Sequence, residues 1–216
     1  MSKALEWIAD IFMPNRCPCC GGFLRWDGIV CEKCRGSLIL YDNSRSTPPE
    51  GCSAAVSVFE FKGCAKEGIY SLKDGYGGNF VKYAVPLLAE RLEGCGAELV
   101  TCVPMAKKKQ AERGYNQAEL IAKELAKKLS LPLDAGILTR EPTSLEQHGL
   151  TAADRAEFAK TLYGISENHR NIKGMKLLLV DDVRTTGSTL ATCAKKLLEA
   201  GASEVIAAVL CQTVKE

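Results

Sequence analysis

The stretch "KLLLVDDVRTTGSTLATCAKKLLEAG" (176–201) decides the fold of this 216-residue chain. A run of aliphatic residues, typical of a buried parallel strand, ends in the adjacent acids Asp181 and Asp182. A hydroxyl-rich turn follows, and then a helical segment that we predict to end at Ala200, with Gly201 as its C′ residue. Ligands bind beyond the carboxyl ends of strands in parallel sheets, so the two acids are predicted to lie at a binding edge.

The turn "TTGST" (185–189) is predicted to hold a phosphate. Backbone N–H groups at a helix start and the helix dipole favour an anion there, and Gly187 lacks the Cβ that would keep a ligand away from the backbone. Carboxylates repel phosphate, so Asp181 and Asp182 are instead predicted to accept hydrogen bonds from two vicinal hydroxyls. The combination describes a ribose 5-phosphate site, whose phosphate would lie among the turn residues Thr185, Thr186, Gly187, Ser188 and Thr189.

Other interpretations of this stretch fit less well. A Walker-type phosphate site needs the pattern G-x-x-x-x-G-K-[ST], which the sequence lacks. A dinucleotide fold needs G-x-G-x-x-G after its first strand, and "GYGGNF" (75–80) fails that spacing. An acidic turn without any ligand stays open, although two acids followed at once by hydroxyls and a glycine favour the ribose phosphate site.

Alternating strand and helix patterns extend from residue 52 to residue 216. Strands are predicted at 53–61, 97–104, 136–140, 175–182 and 203–212, and helices at 78–92 and 116–129. Asn116 is expected to cap the second of these helices by accepting from a backbone N–H near Glu119, whose side chain would reach back. Strands that alternate with helices form a parallel sheet with crossover helices, so we predict an α/β domain over 52–216.

Two CxxC pairs lie near the N-terminus, with ten residues between them. Each pair can present two sulfurs from one tight turn, and four thiolates close a tetrahedral, structural zinc site without an open position. We predict a zinc ribbon over 14–40, with Cys19 as a spectator and four metal ligands: Cys17, Cys20, Cys31 and Cys34. Chance cysteines or a redox pair are the alternatives, but a redox CxxC usually accompanies a βαβ pattern, which this segment lacks.

The segments on either side of the ribbon carry no chemistry of their own. The pattern of residues 1–13 predicts a short amphipathic helix. It is not typical of a signal peptide, because acidic residues interrupt the apolar region. The polar stretch 41–51, with its Pro-Pro pair, is interpreted as a linker. No window of about 18 apolar residues exists, so we expect no membrane insertion and a cytoplasmic protein with reduced cysteines.

Composition and charge place the chain among soluble globular proteins. Hydrophobic residues make up 46% of the chain and charged residues 25%, which are ordinary values. The formal net charge of +2 excludes a strongly basic protein that binds nucleic acid through bulk charge, while a local basic patch stays open.

Several of these stretches resemble known family motifs. "LLLVDDVRTTGST" (177–189) resembles the phosphoribosyl pyrophosphate (PRPP) signature of type I phosphoribosyltransferases. "VPMAKKKQAERGYNQAELIAKELA" (103–126), "LKDGYGG" (72–78) and the CxxC pairs are similar to motifs of the ComF family. The resemblance implies a type I phosphoribosyltransferase-like parallel sheet with flanking helices, preceded by a small zinc ribbon. It also implies a role in DNA uptake during natural competence.

The resemblance assigns roles to individual residues. It places Asp181 and Asp182 on the ribose hydroxyls and Arg113, with Lys107, Lys108 and Lys109, at the pyrophosphate, with Mg²⁺ accompanying PRPP. The stretch 139–158 would be a mobile cover loop that contributes three ligand contacts: Arg140, Gln147 and Arg155. This part of the match is looser, because the sequence reads "RAEF" (155–158) where family members carry an Asn shortly after the Arg.

Two functions are compatible with these features. The first is a Mg²⁺- and PRPP-dependent transferase, amidophosphoribosyltransferase-like, whose acceptor the sequence leaves unspecified. The second, which we favour, is a PRPP-binding protein that acts in DNA uptake together with single-stranded DNA and DNA-uptake proteins. The ribbon and the basic loop would then contact DNA through Arg16, Arg25, Lys33, Arg35, Lys107, Lys108, Lys109 and Arg113, with Trp26 or Tyr115 stacking on bases.

Overall fold

The computed structural model describes residues 15–73, 77–141 and 162–214. The predicted helix over 1–13 and the predicted ligand contacts Gln147 and Arg155 lie outside the described residues, as does most of the predicted cover loop. Among the helices within these ranges, none is long and apolar enough to cross a lipid bilayer.

A parallel sheet forms the centre of the fold, as predicted. Its strands are β1 (Ala54–Glu60), β2 (Leu99–Cys102), β5 (Lys176–Arg184) and β6 (Glu204–Gln212). They are arranged in the order β1-β6-β5-β2, and every neighbouring pair is parallel. A separate antiparallel pair consists of β3 (Leu138–Arg140) and β4 (Tyr163–Ile165).

Helices cover both faces of the sheet. They are α1 (Glu32–Ser37), α2 (Gly63–Lys73), α3 (Gly78–Arg91), α4 (Lys107–Arg113), α5 (Gln117–Leu129) and α6 (Ser188–Glu199). Side chains alternate across β5: Leu178 and Val180 pack in a core with α2, α3 and α5, whereas Leu177 and Leu179 pack in a second core with α6 and β4. The aliphatic run is therefore a central strand that is buried on both faces.

Three local predictions differ from the structure. The segment predicted as a strand over 136–140 lies in the antiparallel pair and not in the main sheet. The strand predicted to end at Asp182 continues to Arg184, because β6 offers partners as far as Gln212. The basic stretch after β2, interpreted as a loop, forms the short helix α4, which ends at Gly114 with a left-handed φ of 82°.

The cap of α5 is formed by Asn116, although not with the predicted partner. Asn116 Oδ1 accepts from the backbone N–H of Ala118 at 3.1 Å. Its side-chain amide donates to the carbonyl oxygen of Val103 at 3.0 Å, so the same residue also holds the loop after β2. Gly201 follows α6 with a φ of 101°, which agrees with its predicted place after the helix.

The cysteine-rich segment packs on the main domain. Buried Cys17, Cys19 and Cys34 belong to the same hydrophobic core as α2 and α3. The side-chain amide of Asn79, on α3, donates to Asn15 Oδ1 at 2.8 Å. The ribbon is therefore attached to the face of the sheet that α2 and α3 cover.

Candidate functional site

A cleft of about 260 Å³ lies at the carboxyl ends of β2 and β5. Both predicted acids line it, because β5 carries them past the end of β2, where the cleft opens. It also contains four other residues that the sequence singled out: Lys109, Arg113, Arg140 and Thr189. Lys107 is exposed on α4 and is not among the residues that line this cleft in the described part of the chain.

Four residues of the cleft were missed by the sequence analysis: Lys73, Asn116, Gln117 and Tyr163. Lys73 is the last residue of α2 and belongs to the "LKDGYGG" stretch, which was noted as a family motif without a role for any residue. Asn116 and Gln117 were predicted to start a helix and lie in the family-like stretch 103–126, but the sequence analysis gave them no role in the site. Tyr163 lies on a strand of three residues, which is too short to give a periodic signal.

The acidic pair is held in an environment that opposes its ionisation. Burial raises the pKa of Asp181 well above its usual range, and the neighbouring charge of Asp182 raises it further. Burial also raises the pKa of Asp182, while Lys73 and Arg113 act in the opposite direction. The backbone N–H of Asp182 donates to Asp181 Oδ1 at 2.9 Å. A ligand that offers hydroxyl donors or a cation would therefore stabilise the ionised pair.

The raised pKa values predict how stability depends on pH. Because the folded-state pKa lies above the unfolded one, ionisation of the pair costs stability as pH rises from the ordinary aspartate pKa of about 3.9 through the raised values. We expect Asp181→Asn to raise the melting temperature at pH 8 by about 2–4 °C, the shift that 1 kcal/mol produces in a chain of this size. Calorimetry at pH 4 should show a smaller difference, since Asp181 is then protonated in the folded state and about half protonated in the unfolded one; an equal gap at both pH values would contradict this.

The phosphate turn is open to solvent beside the acids. Thr185, Thr186 and Ser188 are exposed, and Gly187 precedes α6 with a left-handed φ of 84°. The Ser188 N–H donates to Thr186 Oγ1 over a long 3.4 Å. A pocket of about 30 Å³ adjoins the turn, and Asp181 and Thr189 line both this pocket and the larger cleft. The acids and the turn therefore form one continuous edge, as the sequence predicted.

Gly187 is required for a reason other than the predicted one. A Cβ added at this position would lie 3.0 Å from Pro49 Cγ and 3.3 Å from Pro49 Cβ, so it would press against the protein and not into the ligand space. The positive φ is also a conformation that residues with a side chain rarely adopt. Gly187 thus allows both the turn and the close approach of Pro49.

Arg140 and Tyr163 lie together in the lining of the cleft. The Arg140 guanidinium lies 5.5 Å from the centre of the Tyr163 ring. Arg140 Nε is shielded from solvent and has no hydrogen-bond partner in the described chain. Burial raises the pKa of Tyr163, which keeps its hydroxyl protonated at neutral pH. An unpaired buried donor of this kind favours a ligand that carries acceptor oxygens.

Basic residues outnumber the acids around the cleft. Lys73, Lys109, Arg113 and Arg140 contribute four positive charges against the two aspartates. The hydroxyl of Tyr115 donates to the carbonyl oxygen of Leu72, which fixes the loop after α4 next to Lys73. The net positive charge of the cleft therefore favours an anionic ligand.

The four predicted zinc ligands come together in one cluster. Their sulfur atoms, in Cys17, Cys20, Cys31 and Cys34, lie within 4.8 Å of one another. Gly21, at a φ of 71°, donates its N–H to the Cys17 carbonyl oxygen at 2.8 Å and closes the first turn. The Cys34 N–H donates to Cys31 Sγ at 3.5 Å at the start of α1 and shapes the second. Four thiol ligands at this separation fit one structural zinc ion.

The environment distinguishes Cys17 from its neighbour Cys19. Burial disfavours the Cys17 thiolate, but hydrogen bonds from the backbone N–H groups of Cys31, Cys19 and Cys20 lower its pKa to about 6. Burial raises the pKa of Cys19 to about 12, and the nearby Cys17 adds to this rise. Burial also raises the pKa of the ligand Cys34, so what separates Cys19 from the ligands is that its sulfur is not part of the four-sulfur cluster.

Exposed aromatic rings and cations lie side by side on the ribbon and α2. Phe23 and Trp26 are 72% and 61% exposed, and the Arg16 guanidinium lies 4.3 Å from the Phe23 ring centre. On α2, Lys66 and Lys73 flank the ring of Tyr70 at 5.6 and 5.2 Å. A groove of about 460 Å³ runs between the first CxxC turn and Tyr70. We call these residues and this groove the ribbon surface.

Comparison with known proteins agrees with this geometry. The phosphoribosyl transferase domain family matches residues 112–215. Competence protein F of Haemophilus influenzae is 35% identical over 108 residues, which are 50% of this chain and 47% of that protein. DNA utilization protein YhgH of Escherichia coli K12 is 33% identical over 115 residues, with coverage of 53% and 49%. The chain thus spans about half the length of these two relatives.

Two further similarities cover more of the chain. Competence protein ComFC of Bacillus subtilis is 29% identical over 195 residues, which are 86% of this chain and 72% of that protein. Among solved structures, a B. subtilis glutamine PRPP amidotransferase in complex with ADP and GMP superimposes with a TM-score of 0.48 at 20% identity. That superposition covers 67% of this chain and 30% of the other.

The parallel sheet, its flanking helices and the family match define a type I phosphoribosyltransferase-like domain. Similarity to the competence proteins extends to the part of the chain that precedes this match, because the ComFC alignment covers 86% of the chain. The chain is therefore similar to competence proteins of the ComF type, with a phosphoribosyltransferase-like domain and a four-cysteine cluster that fits zinc.

Proposed function

We propose that the cleft binds PRPP or a related ribose 5-phosphate, and that the protein uses this site in DNA uptake for transformation. The observation that supports the ligand is the continuous edge formed by the acidic pair and the open hydroxyl turn. Ribose hydroxyls would donate to Asp181 and Asp182, and the 5-phosphate would accept from the amides and hydroxyls of 185–189. Arg113 and Lys109 would face the diphosphate.

Mg²⁺ fits this arrangement as a companion of PRPP. Magnesium binds through one or two carboxylates together with ligand phosphates, and retains several waters. Asp181 and Asp182 supply carboxylate oxygens at the position where a diphosphate would meet the cleft. The ion would neutralise part of the diphosphate charge, while Lys73 and Arg113 stabilise the ionised state of Asp182.

Calorimetric titration with three ligands tests the proposed site. Mg²⁺-PRPP and ribose 5-phosphate should both bind, PRPP more tightly, whereas ribose without phosphate should not bind measurably. This order of affinity is expected because ribose would contact only the acids, ribose 5-phosphate also the turn, and PRPP in addition the basic residues. Binding of neither phosphorylated ligand would overturn the proposal.

Catalysis of phosphoribosyl transfer is the less favoured alternative. The relatives are named for competence and DNA utilization and not for a transferase activity. Release of pyrophosphate from Mg²⁺-PRPP in the presence of a panel of bases and amines would reverse this preference.

A role with DNA is supported by the names of the relatives and by the ribbon surface. One relative is a competence protein and another a DNA utilization protein. Single strands bind to proteins that combine cations for the phosphates with aromatic rings on which bases stack. The ribbon surface has both, with Phe23, Trp26 and Tyr70 as rings and Arg16, Lys66 and Lys73 as cations. Tyr115, whose hydroxyl is used internally, is a weaker candidate for stacking.

We expect Phe23→Ala combined with Trp26→Ala to weaken binding of an oligo(dT) strand by about 30-fold or more. Stacking contributes roughly 1–3 kcal/mol per base, and the two rings are the most exposed aromatic residues of the described chain. Fluorescence anisotropy at 50 and 200 mM salt measures the affinity, and wild-type binding should fall at the higher salt concentration.

The matched control is Leu40→Ala, which removes an apolar side chain that is 57% exposed but lies beside β1. It should leave the affinity for oligo(dT) unchanged. Equal affinity of the wild type and the aromatic double variant would remove the ribbon surface from the proposal.

A further inference from the structure

Arg184 is a buried arginine directly between the acids and the phosphate turn. Only 6% of its surface is exposed. Its Nη1 donates to the carbonyl oxygen of Thr47 at 2.8 Å, and its Nη2 donates to Ser46 Oγ at 2.8 Å. Its Nε donates to Gln212 Oε1 at the end of β6. All these acceptors are neutral, and in the described chain no carboxylate forms an ion pair with this guanidinium.

A buried charge that is satisfied only by neutral acceptors is costly, so Arg184 is poorly explained as a contribution to stability alone. The guanidinium instead connects three separate parts of the chain. It joins the end of β5 to the end of β6 through Gln212. It also joins β5 to Ser46 and Thr47, which lie 138 and 137 positions earlier in the sequence. Each nitrogen of the planar group has its own acceptor, which fixes its orientation.

The same early segment contacts the turn a second time. Pro49 is buried and lies so close to Gly187 that a Cβ there would be only 3.0 Å from Pro49 Cγ. The Cys52 N–H donates to the Pro49 carbonyl oxygen at 2.9 Å and closes a tight bend. Gly51 then packs against α6, where an added Cβ would lie 3.4 Å from Ala194 Cβ. Residues 46–51, predicted as part of a linker, thus lie along the phosphate turn and the start of α6.

We propose that residues 46–51 and Arg184 form a brace that sets the conformation of the phosphate turn. In this role Arg184 is a positioning residue: its guanidinium is engaged by internal acceptors, and the residue itself, which borders the small pocket, leads directly into Thr185 to Ser188. The inference rests on the proposed ribose phosphate function. The hydrogen bonds within the turn join only Thr186 and Ser188, at 3.2 and 3.4 Å, so an external brace would determine how many of the turn's donors point towards a phosphate.

The test compares Arg184→Met with Arg45→Met, which removes an exposed arginine of the same segment. Affinities for ribose 5-phosphate and for Mg²⁺-pyrophosphate are measured by calorimetry. We expect Arg184→Met to weaken ribose 5-phosphate binding about tenfold or more while pyrophosphate binding changes less than about twofold, and Arg45→Met to affect neither. Equal losses for both ligands would indicate a merely structural role and overturn the inference, as would unchanged binding of ribose 5-phosphate.

Ser46→Ala extends the test to the other side of the brace. It should weaken ribose 5-phosphate binding in the wild-type background and have little further effect in the Arg184→Met background, because the two side chains share one hydrogen bond. Fully additive effects would contradict the brace.

Should Arg184→Met fail to fold, Arg184→Lys replaces it in the test. This variant retains the charge with fewer aligned donors, and it should show the same ligand selectivity.

Amide hydrogen exchange separates this inference from the proposed function. Without any ligand, the amides of 185–188 should exchange about tenfold faster in Arg184→Met than in the wild type, with little change in Arg45→Met. If wild-type protein binds no ribose 5-phosphate, the proposed function fails while the exchange result still decides the brace. If wild-type protein binds it and neither affinity nor exchange changes in Arg184→Met, only the brace fails.

Discussion

Replacement of Asp181 and Asp182 together by Asn is expected to weaken binding of Mg²⁺-PRPP by at least about 100-fold. A hydrogen bond to a charged group contributes about 1.5–3 kcal/mol, and the variant replaces two charged acceptors by neutral amides that also carry donors. The loss should be larger for Mg²⁺-PRPP than for ribose 5-phosphate, because the carboxylates would also attract the metal ion. Calorimetric titration of both ligands measures the two effects separately.

Asp134→Asn is the matched control for this variant. Asp134 is half-buried like the pair and accepts from the Gly136 N–H at 2.9 Å, but it does not line the cleft. It should lower stability slightly and leave ligand affinity unchanged. The double variant should melt no lower than the wild type at pH 8, since it removes two carboxylates whose pKa values burial raises. Wild-type affinity in a well-folded double variant would show that PRPP does not bind at the acids.

The central strand and its ligand edge could be predicted because their signals are local. Leu177 to Val180 form a continuous aliphatic run, and the acids, hydroxyls and glycine follow without interruption. Each of these residue types has a physical role that depends on its neighbours in sequence. The strand extended two residues beyond Asp182 because the length of β6 decided its end, and pairing partners across a sheet are not a local property.

Other features of the site depend on contacts between distant segments. Lys73 lines the cleft because the end of α2 is bonded to the loop after α4, through the Tyr115 hydroxyl and the Leu72 carbonyl oxygen. The stretch "LKDGYGG" alone does not indicate which edge of the sheet this helix end will approach. Arg184 received no role from the sequence, since its acceptors Ser46 and Thr47 lie in a polar stretch without periodicity. Tyr163 stands on a strand of three residues that only its partner β3 defines.

The linker and the basic loop illustrate a second limit. A stretch with two prolines and many polar residues usually lies on the surface without fixed structure, yet Pro49 is buried against Gly187. In the basic loop, the residues of "KKKQAER" favour helix formation individually, but without an apolar face the sequence gives no reason for the helix to be stable. A tertiary contact with Gly187 decided the structure around Pro49, whereas the helix of the basic stretch has no buried residue and ends at Gly114.

Removal of one zinc ligand is expected to unfold the ribbon. Cys31→Ser should reduce the zinc content from about one ion per chain to less than about 0.2, and trypsin should then cleave within 15–40, where Arg25 and Lys33 are exposed. Structural zinc contributes roughly 10–16 kcal/mol in small zinc-binding peptides, which is as large as the whole stability of a typical domain. Metal analysis and limited proteolysis with a timed quench measure the two effects, and a strong chelator should reproduce them in the wild type.

Cys95→Ser separates loss of a ligand from loss of a thiol, because Cys95 is half-buried like Cys31 but lies outside the cluster. It should retain zinc and resist cleavage. The size of the expected difference follows from how little else holds the ribbon: between residues 15 and 40, Pro18 and Val30 are the only buried residues that are not cysteines. Two such side chains cannot offset the conformational entropy of a segment of this length. A Cys31→Ser protein that loses zinc and still resists trypsin would show that packing on α2 and α3, and not the metal, maintains the ribbon.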